Sequence, residues 1–261
     1  EGAVIVAGGL SNNSAPSGTC LPQRRSPPVH ITFASYNIHK AVGIDRSRDP
    51  DRILSILREI DADVIALQEA DRRLGARESV LPLEDIGHAG YRPVSLSTKP
   101  RSLGWHGNAI LVRRDIEVID VAPVPLPVLE PRGAIRADLS IHGHRVRVVG
   151  MHLDLSGLRR RHQVRSILEH TAECAPDVPT VLMGDMNEWS SKAGCFREFG
   201  DGWTVLSPGR SFPTRRPVAA LDRIIFSDEY ALVDTGVHHS VLSSVGSDHL
   251  PVFAKLELPK I

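Results

Sequence analysis

Val181-Leu182-Met183-Gly184-Asp185-Met186-Asn187-Glu188 is the stretch on which the reading of this chain turns. With Thr180 before it, the apolar run reads as a short buried strand. It breaks at Gly184, where a tight turn is expected, and presents a carboxylate and a carboxamide together. A strand is a rigid post. Two polar side chains at its end suggest a task that needs both groups held in place.

The same pattern recurs on either side. "HITFASYNI" (residues 30–38) alternates apolar residues and ends around Asn37. "DVIALQEA" (63–70) ends at Gln68-Glu69, and "NAILVRR" (108–114) is a further run. Residues 134–141 and 145–151 read as a hairpin about His142-Gly143-His144, and the hairpin ends at His152. "LDRIIFS" (221–227) carries Asp222 at its start, and Asp248-His249 precedes the last strand, "HLPVFAKLEL" (249–258).

Helices are expected between strands. Asp49-Pro50 reads as a cap followed by a first-turn proline, and Ile53, Leu54, Ile56, Leu57 and Ile60 follow at helical spacing. Residues 157–175 read as an amphipathic helix with Leu158, Val164, Ile167 and Leu168 inward. Strands mixed with helices define an α/β class, in which ligands gather at strand ends. The polar residues at those ends would then rim one site. No internal repeat is present.

Composition is that of an ordinary soluble domain: 261 residues, 41% hydrophobic and 24% charged, with formal net charge +0. No apolar run approaches the about 20 residues that span a membrane. Neutrality argues against a strongly basic general DNA binder but leaves room for a local basic groove. Arginine clusters at residues 72–77, 158–165 and 210–216 read either as solvated surface or as a rim for a phosphorylated substrate. Cys20, Cys174 and Cys195 form no disulfide or zinc pattern, which fits a reducing compartment. The opening "EGAVIVAGGL" is a poor signal peptide, so a cytoplasmic location is expected. Residues 1–28 read as a flexible leader, rich in Ser, Pro and Asn from residue 11 on, and residues 29–261 as one folded domain. Nothing in the pattern fixes the oligomeric state.

The strand-end residues are Asn37, Glu69, His152, Asp185, Asn187, Asp222, Asp248 and His249. Carboxylates and amides are hard oxygen ligands that suit Mg²⁺ or Mn²⁺ better than zinc. Histidines supply acid, base or charge stabilisation. Together they suit attack of water on a phosphoester.

These residues lie in "YNIH" (36–39), "LQE" (67–69), "MHLD" (151–154), "GDMNEW" (184–189), "LDRI" (221–224) and "SDHLPV" (247–252), with "HGNAIL" (106–111) between the second and third. In that order the motifs resemble the endonuclease/exonuclease/phosphatase superfamily, which includes DNase I, neutral sphingomyelinase and inositol polyphosphate 5-phosphatase. The resemblance runs from about residue 31 to 258. It implies a DNase I-like four-layer α/β sandwich, with two mixed β-sheets face to face and helices outside. It implies that Glu69 is the principal metal carboxylate, with Asn37 and Asp248 completing the metal environment. It implies that Asp185 orients or deprotonates the attacking water, and that Asn187 holds the scissile phosphate and Asp185. His249 then faces the phosphate with Asp222 orienting it. His152 stabilises charge on the phosphoryl oxygens or assists the leaving group.

One departure stands out. Some nuclease relatives carry Asp two residues after the first Asn, where this chain has His39, which weakens a two-metal scheme. His39 is then a substrate contact or a solvated loop residue. His106, Asn108 and Arg132 are further substrate-side candidates, with Asp154 a weaker one. Trp105 and Trp189 read as core or as cleft walls, core being favoured. "NIHK", "EPRGA", "HLDLSGLRRRHQ" and "SFPTRRPVAALDRI" resemble a small bacterial subgroup, some members of which are encoded beside a cardiolipin synthase-like protein. The expected activity is metal-dependent hydrolysis of small or lipid phosphoesters. Nucleic acid is the alternative substrate, and a non-catalytic binding scaffold is a third reading.

Overall fold

The computed structural model describes residues 28–72, 78–96, 101–127 and 132–258. The expected leader up to residue 27, Cys20, residues 73–77 of the first arginine cluster, and Glu130 and Pro131 lie outside the described residues.

The described elements run β1 (Val29–Asn37), a 3-10 turn (His39–Ala41), α1 (Pro50–Ile60), β2 (Val64–Gln68), α2 (Leu83–His88), β3 (Tyr91–Pro93), β4 (Ala109–Arg113) and β5 (Glu117–Val124). They continue with β6 (Gly133–Ile141), β7 (His144–His152), α3 (Gly157–Ala172), β8 (Thr180–Asp185), a second 3-10 turn (Gly194–Glu198), β9 (Trp203–Leu206), β10 (Asp222–Ser227), β11 (Ala231–Val237), α4 (Ser243–Gly246) and β12 (Val252–Leu258). They build two six-stranded mixed sheets, ordered β11-β12-β1-β2-β4-β3 and β5-β6-β7-β8-β10-β9.

Each sheet contains one parallel pair joined by a helix: β1–β2 across α1, and β7–β8 across α3. The neighbours of these pairs run antiparallel. The C-terminal ends of the parallel strands therefore meet the beginnings of their antiparallel neighbours at one edge. His152 pairs with Gly133 and Asp185, Asp185 with Asp222, and Asn37 with Gln68. That topology collects the polar strand-end residues of the sequence.

Apolar side chains such as Phe33, Ala66, Ile110, Ile135, Val148, Met183, Ile224 and Ala254 fill the space between the sheets. At Gly150 the two sheets approach tightly: an added Cβ would lie 3.2 Å from Ile110 and 3.3 Å from Ala66. A second apolar layer joins the outer face of the first sheet to α1 and α2, and a third joins the second sheet to α3. Helices thus cover the outer faces of two packed sheets, giving four layers. Central β1 is buried on both faces along its last five residues, whereas β12 alternates buried and half-buried positions.

Local expectations largely hold. Asp49 accepts a hydrogen bond from Arg52 N at 2.9 Å, with Pro50 opening α1. The β6–β7 turn is only two residues, His142 (φ 50°) and Gly143 (φ 82°), and His144 already pairs with Ile141. Helix α3 ends at Ala172 rather than Ala175, and Leu158 is 65% exposed instead of inward. Its buried face holds Arg160, Gln163, Val164, Ile167 and Thr171, so three polar residues occupy positions that an apolar pattern does not reveal. No helix among the described residues is long and apolar enough to cross a membrane.

Gly184 lies inside β8, not in a turn. Its use is close approach: an added Cβ would lie 1.9 Å from the carbonyl oxygen of Met151 on β7. Gly184→Ala is expected to force β7 and β8 apart where they deliver His152 and Asp185. Overpacking of this kind costs about 1–3 kcal/mol, read as a lowered melting temperature.

Candidate active site

Asp185 is 2% exposed. Its Oδ1 accepts from Asn187 N at 2.9 Å and its Oδ2 from Asn37 Nδ2 at 3.1 Å. The same Oδ2 lies 3.5 Å from His152 Nε2 and 3.6 Å from His249 Nε2. Strands from both sheets therefore meet on this carboxylate, Asn37 arriving from β1 and His152 from β7. Asn187 adopts φ 50°, and its Nδ2 donates to Leu153 O at 3.0 Å.

Asp222 is fully buried. Its Oδ2 accepts from His249 Nδ1 at 2.9 Å and from Ser211 Oγ at 2.5 Å. Burial opposes a charge on His249, but Asp222 and Asp185 overcome it and raise its pKa from 6.5 to about 10. His152 is shifted the other way. Burial dominates, and despite Asp185 its pKa falls to about 4, with Arg132 and His249 adding repulsion. Arg132 Nη1 lies 2.6 Å from His152 Nε2, as a donor to a neutral ring, and donates to Leu153 O at 2.6 Å. A charged His152 would pair with Asp185, but burial and the arginine donor both favour the neutral imidazole. Burial thus favours a neutral His152 beside a charged His249.

The residues assigned to a metal lie at the same edge. Glu69 follows β2 with φ 56°, and its carboxylate makes an ion pair with Lys40. Asn37 Oδ1 accepts from His39 N at 3.1 Å, and Ser247 Oγ donates to the Asn37 carbonyl at 2.7 Å. Asp248 lies next to Ser247, with His39 Nδ1 3.9 Å from its Oδ1. Among the described residues no three His, Cys, Asp or Glu side chains are arranged to hold a metal between them. The donor chemistry still fits a hard cation, because Mg²⁺ commonly takes only one or two protein carboxylates and keeps water elsewhere. Glu69 already draws a cation, the Lys40 ammonium.

The other candidates divide. His106 (φ 52°) packs edge-on against Trp105, with ring centroids 4.6 Å apart, next to Gly107, which faces Glu69. Asn108 is 1% exposed and ties the two sheets together through Nδ2 to Gly133 O at 3.0 Å. Its Oδ1 has no hydrogen-bond partner among the described residues. His39 stays at the rim, where its Nδ1 is 3.1 Å from Val42 O. Asp154 is local structure, accepting from Ser156 N at 2.8 Å. Trp105 is half-buried. Trp189 is 66% exposed and not core: it stacks edge-on against Phe212, whose ring lies 4.8 Å from that of His249.

Several contributors escaped the sequence. Lys40 sits in the quoted "NIHK", and a cation beside expected metal ligands was the available signal. Ser211 gave none, because its contact with Asp222 depends on a loop path. Arg160 and Glu188 form a buried pair behind the site. The spacing of Arg160 with Gln163, Val164, Ile167 and Thr171 could have marked it as inward. Left-handed backbone at His39, Lys40, Glu69, His106 and Asn187 gathers around this edge.

Two mixed sheets packed face to face, flanked by helices, with a carboxylate–imidazole cluster at one edge, define the DNase I-like class of α/β sandwich. The chain belongs to the Endonuclease/Exonuclease/phosphatase family, whose model matches residues 34–249, and members of that family hydrolyse phosphoesters. Escherichia coli (strain K12) YbhP, described as an uncharacterized protein, is 27% identical over 245 residues, covering 85% of this chain and 94% of its own. A mannosyl-6-phosphatase of Bacteroides thetaiotaomicron superposes with TM-score 0.66 at 20% identity, covering 87% of this chain and 99% of its own. D. rerio TDP2 complexed with a single-strand DNA product also gives 0.66, at 15% identity, covering 87% and 98%.

Proposed function

We propose that the chain is a divalent-cation-dependent phosphoester hydrolase acting on small or lipid phosphoesters by in-line attack of water. One observation carries the reading: a single carboxylate, Asp185, is shared by two amides and two imidazoles whose surroundings push their pKa values apart. Asp185, fixed on both oxygens, is the group to orient the water and draw its proton. His249, kept charged by Asp222, stabilises negative charge gathering on the phosphoryl oxygens. Arg132 brings a second fixed charge next to His152. Neutral His152, whose Nε2 accepts from Arg132, has one remaining ring N–H with which to hydrogen-bond a leaving-group oxygen. Glu69, Asp248 and the remaining lone pair of Asn37 Oδ1 would hold Mg²⁺ or Mn²⁺. Such an ion supplies Lewis-acid polarisation of a phosphoryl oxygen.

The formal net charge of +0 favours a small or lipid substrate over the long polyanion of a duplex. The test sets the wild-type chain and Asp185→Ala, each with Mg²⁺ or EDTA, against sphingomyelin, glycerophospholipids, inositol phosphates, a chromogenic phosphodiester, plasmid DNA, single-stranded DNA and RNA. Hydrolysis of a non-nucleic phosphoester, abolished by EDTA and by the variant, is the expected result. Cleavage confined to nucleic acid and weakening steeply with salt would replace the reading with a nuclease. Silence on every substrate would favour a binding scaffold.

A further inference from the structure

The mouth of the site is apolar on one side. Trp189 (66% exposed), Leu155 (68%), Leu158 (65%) and Val218 (53%) are large side chains left to solvent. Their contacts make them neighbours. Arg160 donates to Leu155 O at 2.7 Å and to Glu188 Oε2 at 3.1 Å, which brings the loop after β7 against the residue preceding Trp189. Trp189 meets Phe212, and Val218 N donates to Phe212 O at 2.9 Å. Phe212 in turn lies against His249. The patch therefore starts one aromatic ring away from the candidate catalytic imidazole. Leu155-Ser156-Gly157-Leu158 is exposed throughout, as an unbroken projecting tip at the start of α3.

Exposed positive charge lies on α3 behind the tip and on the loops that carry the rest of the patch. Arg161 and Arg165 share one carboxylate, Glu198, at 2.7 and 2.8 Å, leaving a cation in excess. Lys192 and Arg216 are exposed on the adjoining loops. With a whole-chain charge of +0, this basic excess is local. Exposed Trp and Leu beside exposed cations match a lipid–water interface, where the ring sits at headgroup depth, aliphatic chains enter the acyl boundary and cations meet anionic headgroups. A single-stranded nucleic acid would use the tryptophan as a stacking platform but offers nothing apolar to the three aliphatic side chains.

We infer that this face docks on an anionic phospholipid surface, so that a headgroup phosphoester enters the site from the bilayer. The docking stands on the patch alone. Only its consequence for substrate class rests on the hydrolase reading above.

The experiment is co-sedimentation with vesicles of phosphatidylcholine alone or mixed with phosphatidylglycerol, for wild type, Trp189→Phe, Trp189→Ser and Leu155→Ser/Leu158→Ser. The expected result is binding to the mixed vesicles, weakened by salt, and roughly tenfold or more weaker in each serine variant. A blue shift of tryptophan fluorescence on binding should shrink in Trp189→Phe, although Trp105 and Trp203 remain. Hydrolysis of a soluble chromogenic phosphodiester should be unchanged in Leu155→Ser/Leu158→Ser, which separates docking from chemistry and from folding. Equal binding by all variants, no vesicle binding by the wild type, or loss of single-stranded DNA binding in Trp189→Ser without any vesicle binding would overturn the inference. Vesicle binding without hydrolysis of any phosphoester would leave docking intact and count against the hydrolase reading.

Discussion

Asp222→Asn is expected to lower kcat on a phosphodiester by roughly 10²–10⁴-fold, with a smaller change in KM. The carboxylate has no solvent exposure, and its Oδ2 is the acceptor for both His249 Nδ1 and Ser211 Oγ. An amide of the same shape keeps the volume and removes the charge. His249 then loses the strongest influence opposing burial, so its charged form becomes costly. The direct readout is an NMR titration of His249 in the cation-free chain. Wild type should stay charged through neutral pH and lose its proton near 10, whereas Asp222→Asn should titrate well below that. An unchanged titration would show that Asp222 does not set the charge of this ring.

The same shift has a consequence for stability. A folded-state pKa raised from 6.5 to about 10 means that the native chain binds this proton more tightly than the unfolded chain. The stabilisation is complete below about 6.5 and fades as pH rises toward 10. His152 has the opposite sign. With its pKa lowered to about 4, its contribution is present above 6.5 and is lost as pH falls toward 4. Stability supported by the pair should therefore decline on both sides of neutrality.

The interior strands were legible in the sequence because burial on both faces writes long apolar runs, as in "VIALQ" and "TVLMGD". The strands that were not, β3, β5, β9 and β11, are the four edges of the two sheets. An edge strand pairs on one side only and is half exposed, so "EVIDVAPV" and "ALVDTGV" carry no clear alternation. The site was legible for a related reason. The topology brings strand ends to one rim, and polar residues at the ends of apolar runs announce that rim. What stayed hidden depends on loop paths and helix phase. Ser211 reaches Asp222 through the path of the loop leading into β10, Arg160 is one of three consecutive arginines of which only the helix phase selects the buried one, and Trp189 looks like core by residue type.

Glu188→Ala should be the most destabilising single change near the site, although the residue touches none of the reacting groups. Glu188 and Arg160 are 5% and 7% exposed. Arg160 Nε and Nη2 donate to Glu188 Oε2, while Nη1 donates to the carbonyls of Asp154 and Leu155. Glu188 also accepts from Ser190 N and Cys195 N. The pair thus clamps the loop after β7, which carries Leu153 under Asn187, to the loop after β8, which carries Asn187 itself. Removing the carboxylate leaves a buried, uncompensated guanidinium, a loss of about 3–5 kcal/mol and a melting temperature lower by about 10 °C. Arg160→Met/Glu188→Leu removes both charges at similar volume and should recover much of the stability, since an apolar pair often replaces a buried ion pair at little cost. The double variant should not recover full kcat, because the three loop contacts of Arg160 Nη1 and Glu188 Oε1 that fix Asn187 relative to Leu153 are gone. Stability and rate restored together would mean that the pair only fills space.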